Sequence, residues 1–322
     1  MFIAFLQYSI RYSTVFLFGC TGEIIMEKSG HLNLGVPGIM CAGTAGGCLG
    51  VSLYMNALPA AANPSYLLLV LIGILSAFLF GVFLGAIYAL LTVSLHCNQN
   101  ITGLALATFG GGFTQFIMDN YVDKGKFNIA STFVAKCLPF ADKLGDFGTL
   151  FLSYGILVYL AIAIAIVTSI FLKRTKTGLN LRAIGENPAT ADAVGINITN
   201  YKYLAILIGS GIAAVGGFFW TMDMSQGTYE SYSEIEALGW LSIALVIFAV
   251  WRPNLAIIGS ILFGALSSLP NFLRITDSTS SAIVNLVPYI VTVLVLIVLS
   301  ITGSKAVQPP AALGLNYFRE DR

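Results

Sequence analysis

"KTGLNLRAIGENPATADAVGINITNYK", residues 176–202, decides how the rest of the chain is read. It is polar and carries Lys176, Arg182 and Lys202, yet a long apolar stretch flanks it on each side. A water-loving segment between two stretches of membrane grade is a loop joining two membrane spans. Within it, Asn187 is placed to cap a helix, Pro188 to fill the first helical position and Gly195 to end the helix. The residues between, "ATADAV", make a helix too short to stand alone in water. It needs a surface to dock on.

The composition of the whole chain agrees. Of 322 residues, 57% are hydrophobic and only 10% charged, against about 25% charged in a soluble domain. Too little polar surface remains to cover a water-soluble globule. Continuous apolar runs, rather than alternating segments of about ten residues, exclude a transmembrane β-barrel. The fold class is therefore all-α, a polytopic transmembrane helical bundle, with residues 1–322 read as one transmembrane domain that carries the 173–202 loop. A net charge of +1 without a basic run gives no nucleic-acid partner. The five cysteines (Cys20, Cys41, Cys48, Cys97, Cys137) have neither zinc-finger nor redox spacing, and the four in or beside apolar stretches read as small core residues.

About 20 apolar residues cross a bilayer. Spans are expected near Phe2–Gly22, Asn33–Met55, Tyr66–Val93, Gln99–Met118, Gly148–Leu172, Tyr201–Met222, Ala237–Val250, Asn254–Leu269 and Val284–Ile301. That is about nine, within bounds of eight and ten. Arg11 interrupts the first span, and an arginine in lipid is costly unless it snorkels or meets a partner. The seventh and eighth are short enough to be half-spans. Lys173, Arg174, Lys176, Arg182 and Lys202 put the 173–202 loop on the cytoplasmic side, and alternation adds Arg252, Lys305, Arg319 and the C-terminus. Residues 119–147 and the acidic "DMSQGTYESYSEIE" (223–236) then lie outside.

Gly81 with Gly85, and Gly209, Ala213 and Gly217, have the spacing of tightly packed helices. "TFGGGF" (108–113) and "GVPGIM" (35–40) read as interrupted helices, which hint at a solute path because irregular backbone at membrane depth lines cavities; simple kinks are the alternative. No P-loop, H-E-x-x-H or G-x-S-G motif is present, and Glu23, Asp119 and Asp223 fall near span ends rather than mid-span. The chain offers little chemistry of its own, so it is read as a non-enzyme that binds no cofactor or metal, with energy coming from a partner.

"TGLNLRAIGENPATADAVGINITNYKY" resembles the cytoplasmic loop of permease subunits of bacterial ABC importers, in the family serving branched-chain amino acids, ribose-type sugars and nucleosides. "GEIIMEKSGHLNLGVPGIM" (22–40) resembles the same family's E-x-x-G-x-x-N-x-G segment. "LGWLSIALVIFAVWRPNLAIIGSILFGAL" (238–266) and "PPAALGLNYFRE" (309–320) are similar to one of two paired permeases of nucleoside-type importers fed by a binding lipoprotein. The resemblance implies a bacterial cytoplasmic membrane protein whose short helix docks on a separate ATPase that uses ATP and Mg. It implies coupling roles for Gly178, Arg182, Gly185, Glu186, Asn187, Pro188, Ala191 and Gly195, with Ala191 keeping the docking face thin. Arg182 and Glu186 are also spaced for a local ion pair. Pro37 stands where related permeases often carry glutamate, which leaves that acid without a counterpart here.

A path for nucleosides wants aromatic faces and neutral amides. Asn33, Gln99, Asn100, Gln115, Phe219 and Trp220 supply them at breaks in the apolar pattern, although Asn and Gln at span ends also serve as caps. Glu230, Glu234 and Glu236 offer an outer face to a binding protein, or are simply solvated. A second permease as heterodimer partner and a small polar solute complete the expected assembly. A ribose- or galactoside-type sugar permease is the alternative within the class. A channel or secondary carrier without an ATPase is the alternative outside it, and needs buried ionisable groups that the sequence does not make evident.

Overall fold

The structure is a computed structural model that describes residues 2–59, 63–134, 145–273, 280, 283, 284, 286–302 and 308–318. Among them every regular element is helical: α1 (Phe2–Lys28), α2 (Val36–Ala57), α3 (Tyr66–Ala89), α4 (Gln99–Asn120), α5 (Lys124–Val134), α6 (Gly145–Phe151), α7 (Ile156–Arg174), α8 (Lys176–Glu186), α9 (Pro188–Ala193), α10 (Ile198–Phe219), α11 (Tyr232–Phe248), α12 (Pro253–Phe272) and α13 (Val287–Thr302). Short π-helical turns extend α3 through Leu90–Ser94 and α10 through Trp220–Met224. Six of these helices are long and apolar enough to cross a membrane on length and composition alone. The remaining predicted spans correspond to α1, α11 and α13.

α2 and α10 form the centre. In their most apolar windows 83% and 78% of residues are buried, against 33% in both α3 and α12. α1 packs chiefly on α12 and α10, while α2 packs on α3, α10 and α4. Small residues set these distances. A Cβ on Gly217 would lie 1.9 Å from the Met40 carbonyl oxygen, and one on Gly209 2.5 Å from that of Gly22. The stripe expected from spacing therefore faces α2 and α1, where only glycine admits backbone this close.

Several expectations are corrected. Arg11 does not shorten the first span: its Nε donates to Asp223 Oδ1 at 2.5 Å and its Nη2 to the Asp223 carbonyl, so the pairing lets α1 run unbroken. The eighth span is no half-span, since α12 has 20 residues; α11 has 17, about 26 Å of helix. The fifth is interrupted after Phe151, where extended Gly155 separates α6 from α7. "TFGGGF" is not a break: α4 runs through it, and a Cβ on Gly110 would meet the Gly38 carbonyl oxygen at 2.3 Å. Nor does "GVPGIM" interrupt a helix, because Pro37 sits in the first turn of α2 where its missing N–H costs nothing. Both stretches are contact surfaces between α2 and α4.

The 119–147 segment holds a helix that the sequence reading missed. Asp123 caps α5 through Gly125 N and Lys126 N, and Phe127, Ala130 and Val134 are buried at helical spacing. Cys137, Lys305 and Arg319 lie outside the described residues. Of the other cysteines, Cys20, Cys41 and Cys48 are buried and free.

Candidate functional site

The loop that decides the fold contains two helices. Thr175 caps α8 by accepting from Gly178 N at 3.0 Å, and a Cβ on Gly178 would meet the Phe171 carbonyl oxygen at 2.0 Å. α8 therefore folds back tightly on the end of α7. Asn187 then caps α9 by accepting from Thr190 N at 3.0 Å, Pro188 fills the first turn, and Gly195 leaves at φ +82°. Local sequence thus builds α9 as expected, although α8 carried no expectation.

Two assignments in this loop change. Ala191 is 3% exposed and packs with Ile184 and Ile198 in a small core that also holds Tyr317, so it faces its own chain and not a docking partner. The outward face of α9 consists of Ala189, Thr190 and Ala193, followed by Val194 at 72% exposure. Arg182 and Glu186 form no ion pair among the described residues: Glu186 Oε2 accepts from Ala311 N at 3.3 Å, and Arg182 Nε is buried without a hydrogen-bond partner. Gly185 presses on α1, with its missing Cβ 2.4 Å from the Lys28 carbonyl oxygen, and its own carbonyl accepts from Ala312 N at 2.9 Å.

Beside this loop the α1–α2 turn gathers buried polar groups. Asn33 is fully buried; its Oδ1 accepts from Gly35 N at 2.9 Å and its own N donates to Glu23 Oε1 at 3.0 Å. Gln99 Oε1 accepts from Leu32 N at 2.9 Å, and Gln99 Nε2 donates to Asn316 Oδ1 at 3.3 Å. Glu27 accepts from the indole N–H of Trp251. His31 is buried with Nδ1 unpartnered, and burial together with nearby Lys202 pushes its pKa well below the usual value, keeping it neutral. The buried ionisable groups that the sequence did not make evident are thus Glu23, Glu27, Lys202 and Asp223. The E-x-x-G-x-x-N-x-G segment signalled the importance of this turn; nothing local signalled Trp251 as the partner of Glu27 or Asn316 as that of Gln99.

The solute-path candidates do not converge. Asn33 and Gln99 sit at the loop end with fixed partners, Asn100 is exposed beside them, and Phe219 is fully buried. At the opposite end, half-buried Gln115 accepts from the Tyr229 hydroxyl at 3.0 Å and donates to Asp119 at 2.6 Å. Trp220 lies edge-on to Tyr12 with ring centroids 4.9 Å apart, and its indole N–H donates to Glu234 at 3.4 Å. Glu230 and Glu234 are exposed and Glu236 is half-buried. Gln115, Trp220 and Glu234 therefore share one end of the bundle.

A cavity of about 660 Å³ opens at the loop end, between the end of α3, the α9–α10 turn and the C-terminal segment; buried Lys202, Asn316 and Tyr317 are among its walls. A second, almost wholly apolar groove of about 680 Å³ lies between α3 and α4 and includes Leu91, Ile101 and Phe109.

The fold is similar to that of the solved structure of an ABC transporter described as metal-chelate type, in an inward-facing conformation: TM-score 0.51 at 12% identity, covering 90% of this chain and 85% of that one. Residues 5–298 match the branched-chain amino acid transport system permease component family, and the chain belongs to that family. It is similar to a nucleoside ABC transporter permease of Lactococcus lactis subsp. cremoris, 30% identical over 96% of this chain and 94% of that protein. It is also similar to a Haloferax volcanii protein named for a glucose ABC transporter permease, 33% identical over 82% of this chain and 76% of that protein. The chain is thus a membrane permease subunit of an ABC transporter. Membership implies an ATPase on a separate subunit and a paired permease.

Proposed function

We propose that this permease forms half of the path of an ATP-driven importer for nucleosides, paired with a second, homologous permease in a heterodimer. The observation that carries the reading is the similarity to a nucleoside permease along nearly the whole chain. The assembly lies in the bacterial cytoplasmic membrane, with residues 173–202 and the C-terminus on the cytoplasmic side, as their Lys and Arg content favours. Residues 1–322 act as one permease domain. No cofactor is held by this chain, and ATP with Mg is bound by the partner ATPase.

α9 is the coupling helix in this reading. Its outward face, ending at exposed Val194, enters a groove of the ATPase, and closure of the ATPase dimer pushes it. Gly178, Gly185, Asn187, Pro188, Ala191 and Gly195 build that helix and fix it to the bundle, while Arg182 and Glu186 serve its inner side. At the far side, Glu230, Glu234 and Glu236 meet an extracytoplasmic binding lipoprotein, and Gln115 and Trp220 lie nearest the point of delivery. Asn33, Gln99, Asn100 and Phe219 line the path only if the helices around them part.

The second reading, a sugar permease, is favoured by the 33% identity to the glucose-named relative. Proteoliposomes holding this permease with its paired permease, ATPase and binding protein separate the two. ATP-dependent uptake of labelled guanosine or adenosine, competed by other nucleosides and not by glucose or ribose, is expected. Uptake of glucose that ignores nucleosides overturns the nucleoside reading.

A further inference from the structure

We propose that the C-terminal segment, residues 308–318, is a strap that carries the displacement of α9 to the α1–α2 and α3–α4 turns, with Asn316 and Tyr317 as its positioning residues. The proposal rests on the reading of α9 as the coupling helix.

A segment of this kind, without helix or apolar run, is ordinarily loose unless tied down. This one is tied at every step. Ala312 N donates to the Gly185 carbonyl at 2.9 Å, and Gly314 N to the Gly30 carbonyl at 3.1 Å. Ala312 is buried and Leu313 packs on the main core. Gly314, at φ +78°, then turns the chain so that two consecutive side chains reach in different directions.

Tyr317 reaches α9. Its ring packs in the core of Ile184, Ala191 and Ile198, and its hydroxyl donates to Asp192 Oδ2 at 3.0 Å. A hydroxyl on a carboxylate is a charge-assisted bond, stronger than a neutral one. Asn316 reaches the α3–α4 turn. Its Nδ2 donates to the His96 carbonyl at 2.6 Å and the Cys97 carbonyl at 3.4 Å, and its Oδ1 accepts from Gln99 in the first turn of α4. His96 itself holds φ 52°, a conformation that a residue with a side chain adopts at a cost, and the Phe318 ring lies 4.6 Å from its own. Gln99 in turn holds Leu32 N of the α1–α2 turn.

Neighbouring strap residues therefore connect the short helix to the ends of α1, α2, α3 and α4. α9 lies between Asn187 and a left-handed Gly195, so its own flanks make a soft joint; the strap supplies a stiff one. Coupling between sites is carried by packed and hydrogen-bonded contacts of this sort.

Tyr317→Phe tests the idea, because it deletes one oxygen and leaves the ring in its packing. In proteoliposomes with the full complex, ATP hydrolysis and nucleoside uptake are measured together. Assembly and hydrolysis should stay within about twofold of wild type, while solute moved per ATP falls about fivefold, in keeping with one lost hydrogen bond. Asn316→Asp keeps the acceptor but loses the amide donors, and should show the same split. An unchanged ratio in both variants overturns the strap, and so does loss of assembly in Tyr317→Phe, which would make Tyr317 a folding residue. A wild-type complex without ATP-dependent uptake would instead overturn the coupling reading beneath the proposal.

Discussion

At the end of the bundle that carries α9, Asn33, Gln99 and Glu27 are buried and each of the three meets a defined partner: Asn33 with Gly35, Gln99 with Leu32, Glu27 with Trp251. At the opposite end, apart from Asp223 buried against Arg11, the pairs are half-exposed or on the surface, as Trp220 with Glu234 and Lys124 with Asp119. The first arrangement is expensive to disturb, because a buried group stripped of its partner keeps its desolvation penalty. The second exchanges partners at little cost. On the proposed function, with a push at one end and a solute at the other, this asymmetry is useful: stiff where force enters, accommodating where ligands vary.

The comparison can be broken most forcefully at Gly185. Alanine there drives a methyl against the Lys28 carbonyl oxygen, backbone that cannot swing aside, and overpacking of this sort costs about 1–3 kcal/mol. Gly185→Ala should lower the melting temperature of the detergent-solubilised protein by several degrees and reduce its yield in membranes. Wild-type melting would show that the loop end tolerates shifts that the close approach forbids.

Trp220→Ala probes the other end. It removes the edge-on contact with Tyr12 and the bond to Glu234, both at a half-exposed site. Melting and yield should stay near wild type while nucleoside uptake falls about fivefold if Trp220 stacks on the base in the proposed path, since base–aromatic stacking is worth about 1–3 kcal/mol. A collapse in yield with no specific uptake defect would make the two ends alike. The smallest effect is expected from changing Glu230, Glu234 and Glu236 together to Gln. Uptake at low ionic strength should drop about twofold and recover by 0.5 M salt, where surface charges are screened. Equal rates at all salt concentrations remove the electrostatic role.

The spans were legible because a bilayer imposes a length and a polarity that local sequence cannot disguise; α2, α3, α4, α10 and α12 lie where their apolar runs begin and end. The cap of α9 was legible for the same local reason, from Asn187 to Gly195. Partnerships across the chain were not. Gln99 joins Leu32 across 67 positions and Asn316 across 217, and no periodicity links them. Glycines were misjudged in one respect: sequence alone cannot tell a glycine that breaks a helix from one that lets another backbone approach, and in "TFGGGF" the second holds. Ala191 was placed on the wrong face because a six-residue helix gives too few positions to orient it. α5 could have been found, since Asp123 and the 127/130/134 spacing were there to read.

The bond between Arg11 and Asp223 also bears on how the protein is made. The two residues lie 212 positions apart, so at about 5–20 residues per second the guanidinium leaves the ribosome roughly ten to forty seconds before its carboxylate. Over that interval α1 is an apolar segment with an unneutralised cation in its first half, a poor guest for lipid by itself. Its final seating therefore waits for α10 and the π turn that follows it, so α1 settles after helices that are synthesised later than itself.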